Sequence, residues 1–262
     1  MRQILTQVYD AILFPSRFVG ADVAWTDGSI IRDVVVASRL LGVFGGNLVL
    51  YAVPLTLAGF GTVAASDPPP LLTAASASLG LGPAWTWNFL QRFVRNSLYI
   101  SLAAALTFVA FHGSVRLTRS STGIVPSLHT VVYSTSAYLA AVFSVVWFLS
   151  TSASVVVADT LVLNVQKRFV YAVIDATGVS LSLPSGRPAP VSLTDATPTD
   201  QVALAVLVLT VGYFVYSLYL GSRINHGASR LTATLTVMTV TSTPLVFVLG
   251  SIALALGTLP LL

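Results

Sequence analysis

The sequence predicts an all-α membrane protein: a five-transmembrane-helix bundle with an amphipathic N-terminal helix and a small β-rich extramembrane insertion. Three observations carry that prediction. Of 262 residues, 55% are hydrophobic and only 8% charged, where a soluble domain carries about 25% charged residues. Apolar, nearly charge-free stretches of the ~20 residues needed to cross a bilayer recur along the chain, and mean hydropathy is +0.85. Most of the few charges collect in the segments between those stretches.

Residue types narrow the class. All nine acids are Asp and twelve of the thirteen bases are Arg. That skew fits a GC-rich genome, such as that of a halophilic archaeon or its virus, and fits codon bias without physical meaning equally well. The net charge of +4 points to anionic lipid headgroups. Nucleic acid is not expected, because no basic run or aromatic–basic module occurs. The absence of Cys excludes disulfides, thiolate metal sites and Cys nucleophiles. No signal peptide is expected, because residues 1–39 hold four Arg and four Asp and no clean apolar core.

Residues 1–39 are expected to be a cytoplasmic N-terminal region. Ile4, Leu5, Val8, Ile12 and Leu13 recur at helical spacing up to Phe14-Pro15, predicting an amphipathic helix. It would lie in the headgroup region or pack on the cytoplasmic ends of the bundle. Residues 40–151 hold three spans. Span one covers about 40–65, with Gly42 and Gly46 four apart for close helix approach and Pro54 as a kink. Asp67 and Pro68 to Pro70 then open a loop rich in Ala, Ser, Gly and Pro, and Trp85, Trp87 and Phe89 form an interfacial aromatic belt. Span two, about 89–111, begins with Arg92 and Arg95 on one helical face; these snorkel to the interface or face the bundle and contact an anion. A loop over 112–129, with Arg116 and Arg119 its only charges, leads into span three, about 130–151.

Residues 152–200 break the pattern. Leu163 and Val165 alternate with Asn164 and Gln166, Phe169 to Ile174 is aromatic and β-branched, and Val179 to Leu183 alternates after a turn at Asp175 to Gly178. These features predict a β-rich extracytoplasmic insertion; a short helix over 153–165 is the alternative, disfavoured by polarity and β-branching. Residues 201–262 hold span four, about 202–220, a turn bearing Arg223, His226 and Arg230, and span five, about 231–256. Eight Lys and Arg fall on the N-terminal side of the membrane and five on the other. That excess predicts a multi-pass protein with its N-terminus cytoplasmic and its C-terminus outside.

Three phrases resemble the Yip1-domain family of five-helix integral membrane proteins, in its prokaryotic form. Ile4 to Phe18 is similar to the family's opening phrase, Thr130 to Ala137 to the start of its third span, and Ile224 to Ala233 to its last turn. The resemblance covers nearly the whole chain except 152–200, where the family has a short link. It implies a non-enzymatic protein that organises membrane or recruits a partner. The acidic phrase of the eukaryotic branch is absent, so its Rab GTPase partner is not carried over.

No catalytic or cofactor-binding residues are expected. The sequence has no GxSxG, GxxxxGK[ST] or GxGxxG and no Glu to serve as a base. His112, His129 and His226 fall at the cytoplasmic ends of spans two, three and four. They could ligate Zn²⁺, sit singly at the interface bonded to carbonyls, or respond to pH beside Arg. Arg116, Arg119, Arg223 and Arg230 surround them as a cationic ring for lipid headgroups, each contributing about 1 kcal/mol, or record only the positive-inside rule. The span cores are uncharged, with Asn47 and Asn96 the notable polar residues. A small-solute channel or transporter is therefore the last of three readings. Ahead of it stand the Yip1-like protein and a structural subunit of a respiratory complex or of a virion's internal membrane. That subunit would dock on membrane or shell proteins through 152–200.

Overall fold

A charge-free segment in lipid must satisfy its backbone groups internally, and the α-helix does so within one segment. The computed structural model of the chain describes residues 16–17, 20, 30–57, 66–151, 155–180, 186–187 and 197–256; the side chains of 143–151, 155–163, 200, 204 and 254–255 lie outside that description. Within it the elements are helices: α1 (Ile30–Leu57), α2 (Pro70–Ser78), α3 (Pro83–Leu117), α4 (Ile124–Thr151), α5 (Val155–Thr177), α6 (Pro198–Asn225) and α7 (Arg230–Ala255). The predicted N-terminal amphipathic helix falls outside the described residues.

Five long helices close a ring in which α1 touches α4, α4 touches α6, α6 touches α7, α7 touches α3 and α3 returns to α1; α3 and α4 also meet. Phe111 and Val115 of α3, Val131 of α4, Leu218 of α6 and Val240 of α7 form the shared core. Leu40 of α1 packs on Val125 and Val132 of α4. These pairings place the start of α1, the end of α3, the start of α4, the end of α6 and the start of α7 at one end of the bundle, which we call the basic end. Large apolar side chains such as Leu98, Val109, Leu209 and Val246 remain exposed along its flanks, an apolar belt suited to lipid and unsuited to water.

Among the described residues, α1, α3, α6 and α7 are long and apolar enough to cross a membrane. The remaining expected span, span three, coincides with α4, whose side chains beyond Val142 are not described. Helices also run past the expected spans: α1 takes in Arg32, Asp33 and Arg39, and α3 and α4 absorb most of the expected 112–129 loop, leaving Thr118 to Gly123. The Ala/Ser-rich loop after Pro70 contains a helix, α2, begun by Pro70 in the first turn, where proline's fixed φ is preorganised and its missing N–H leaves no bond unmade.

The β-rich insertion is corrected at residues 155–177, which form α5, and no strand occurs among the described residues. The expected strand at Val179 to Leu183 lies outside the description from residue 181. Along α5 the less exposed positions are Asn164, Lys167, Val170, Tyr171, Val173 and Ile174, which recur mostly at helical spacing. Tyr171, Val173 and Ile174 pack on Ile252 of α7, and that contact overrides the weak β preference of the segment. After α5, Arg187 holds the Asp175 carboxylate through two hydrogen bonds of 3.0 and 2.7 Å and lies 4.8 Å from the Tyr171 ring centroid. The guanidinium holds the Asp175 carboxyl below its usual range.

Candidate functional site

Hydroxyl and amide side chains are costly in hydrocarbon unless partnered. Many Ser and Thr here bond back to the carbonyl four residues earlier, as Thr107 does to Ala103 and Thr234 to Arg230. Others tie helices together. Asn47 bonds Ser136, linking α1 to α4, and Asn96 bonds Thr56 at 3.1 Å, linking α3 to α1. Ser114 of α3 reaches Thr236 of α7 at 3.2 Å, and Asn225 of α6 reaches Thr130 of α4 at 2.9 Å.

The densest of these ties is at the basic end. The Thr122 backbone N–H donates to His226 Nδ1 at 3.1 Å. A backbone N–H can only donate, so Nδ1 is unprotonated and Nε2 carries the ring proton. Nε2–H then donates to Ser127 Oγ at 3.1 Å, and the same hydroxyl meets His112 Nδ1 at 2.9 Å and the Gly123 carbonyl at 3.4 Å. The Thr122 hydroxyl donates to the Asn225 carbonyl at 2.8 Å. His226 and Ser127 are buried, at 4% and 0% exposure. Burial, with His112 nearby, pushes the His226 pKa down to about 4.

Of the three histidines singled out by sequence, the fold thus brings His112 and His226 onto one serine. His129, two residues beyond Ser127 and so on another side of α4, instead lies 4.4 Å from the Tyr133 ring. Among the described residues no three His, Asp or Glu side chains come together as a metal site.

An open cleft of about 470 Å³ lies over this knot, between the end of α3 and the start of α4, lined by His112, Arg116, Arg119 and residues 121–124. Arg116 and Arg119 therefore share one concavity. Arg223, in the last turn of α6, and Arg230, which opens α7, stand at the same end. Among the described residues none of these four arginines pairs with an acid. Arg92 and Arg95 lie far from them, at the opposite end near the start of α3; Arg92 is half-buried with its Nε shielded and unpartnered, while Arg95 is exposed.

Sequence reasoning missed Ser127, Thr122 and Asn225, because their role depends on which helices become neighbours. It also missed Gly221. A Cβ there would sit 2.1 Å from Thr130 Cγ2, so α4 and α6 touch backbone to side chain. The spacing Ser217, Gly221, Asn225 was the available signal, three small or polar residues four apart on one face. Protein-family models, curated proteins and solved structures give no match to this chain.

Proposed function

We propose that this is a non-catalytic, multi-pass membrane protein of the Yip1 type that organises anionic membrane, or recruits a partner, through its basic end. The observation that carries this reading is the gathering of Arg116, Arg119, Arg223 and Arg230, unpaired with acids among the described residues, at one end of an apolar-flanked bundle. Held by short turns, such charges attract anionic headgroups at about 1 kcal/mol each near the surface. The positive-inside rule puts this end in the cytoplasm. In mild detergent the protein should carry anionic lipid with it. The variant with all four arginines changed to Gln should still insert and lose that enrichment. Unchanged lipid and protein composition after the change would sink the proposal.

A second reading has one specific observation behind it. The C-terminal part of α5 packs on α7, while Val165 and Phe169 are exposed. In a subunit of a larger membrane assembly, that face would meet a neighbour. Replacing 155–198 by a Gly/Ser linker should then remove a co-purifying protein that the four-arginine variant retains.

A further inference from the structure

Helix α3 ends with a side chain where the backbone favours none. Ser120 N–H bonds the Val115 carbonyl at 3.0 Å and Arg119 N–H bonds the Arg116 carbonyl at 3.1 Å, the paired bonds of a Schellman ending. The residue that makes this turn, Arg119, has φ 56, and the other positive-φ residues described are all Gly. Gly is the usual choice there because a Cβ is strained. Arg119 lines the cleft together with Arg116, so the strained position is occupied by a second cationic residue at the same concavity. Neither guanidinium has an acidic partner among the described residues.

We propose that the cleft between the end of α3 and the start of α4 binds one phosphate group per chain, held by the Arg116 and Arg119 guanidiniums. The proposal rests on reading the basic end as an anion-binding surface and makes part of it a defined site. Two guanidiniums match the charge of a phosphate monoester dianion and offer the paired N–H donors that phosphate oxygens accept. The cleft, at about 470 Å³, has room for the group with its substituent projecting outward. Ile124, the first residue of α4, also lines it, so the positive end of that helix adds to the field. A lipid headgroup and free phosphate present the same chemistry.

The test uses the full chain in two settings. Inorganic phosphate is titrated calorimetrically into detergent-solubilised protein, and lipid retention is counted by native mass spectrometry from nanodiscs of phosphatidylcholine with and without phosphatidic acid. Saturable binding of one phosphate per chain in either setting is expected. Saturation in detergent identifies a site open to free phosphate; saturation only with phosphatidic acid identifies a headgroup site. Arg119→Gly should weaken binding at least about tenfold, the loss of one charge-assisted contact, with an unfolding midpoint no lower than wild type. Arg116→Gln should weaken binding similarly, while Arg223→Gln with Arg230→Gln should retain the one-per-chain site. No saturable binding in either setting, or wild-type affinity in Arg119→Gly, overturns the proposal. Bulk anionic-lipid enrichment that persists without a saturable site overturns the site alone; loss of both overturns the reading of the basic end as well.

Discussion

At the scale of single residues, His226 joins geometry to pH dependence. Its Nδ1 accepts from the Thr122 N–H and its Nε2 donates to Ser127, so a second ring proton would place donor against donor. The ring sits in the α6–α7 turn with a pKa lowered from 6.5 to about 4. A depressed His pKa means that the unfolded chain takes up a proton that the folded chain refuses. Stability is therefore full above about pH 6.5 and is lost as pH falls from there toward about 4, by on the order of 3 kcal/mol at roughly 1.4 kcal/mol per pKa unit. The unfolding midpoint in detergent should fall across that window for wild type. His226→Gln should start lower at pH 7 and show a flatter profile. A wild-type midpoint constant from pH 7 to 4 would contradict the buried neutral ring.

At the scale of elements, helix α6 makes opposite predictions for adjacent residues. Gly221→Ala places a methyl 2.1 Å from Thr130 Cγ2 and 2.7 Å from its Oγ1, which overpacks the α4–α6 seam and should cost about 1–3 kcal/mol. Thr130→Ser, removing the nearest atom, should restore part of that loss in the double variant. One residue on, Ser222 is fully buried and its hydroxyl has no hydrogen-bond partner. Removing an unsatisfied polar group should be neutral or stabilising, so Ser222→Ala should leave the unfolding midpoint at or above wild type. A drop in Ser222→Ala as large as in Gly221→Ala would show that α6 is not packed this way.

The same seam explains what the sequence could and could not disclose. Apolar stretches announced five of the helices, α1, α3, α4, α6 and α7, because hydrocarbon leaves so little choice of residue. Their ends were misplaced, since a helix continues past the apolar stretch wherever neighbours hold it. His112 and His129 consequently fell on helices instead of in a loop. Helix α5 was misread because its Val, Phe and Tyr favour strands, while Tyr171 and Ile174 meet Ile252 only in three dimensions. The four arginines were named from sequence, but nothing in their spacing told that Arg116 and Arg119 share a cleft while Arg223 and Arg230 do not line it.

At the scale of the molecule, the absence of Cys turns topology into a direct measurement. The ring of helices puts the α3–α4 loop and the α6–α7 turn at the basic end and α2 at the other, since α2 follows the end of α1 and precedes the start of α3. If the long helices cross the bilayer, those two ends face different compartments. Ser121→Cys, Ser229→Cys and Ser78→Cys each introduce a nearly isosteric thiol: Ser121 and Ser229 at the basic end, Ser78 on exposed α2. With an impermeant maleimide, Ser121→Cys and Ser229→Cys should label only in inside-out vesicles and Ser78→Cys only in right-side-out ones, the orientation favoured by the arginines. The reverse pattern would keep the spans and invert the cytoplasmic assignment of the basic end. Labelling of all three thiols from one side would mean that the bundle does not span the membrane, and the apolar flanks would then need a protein neighbour in place of lipid.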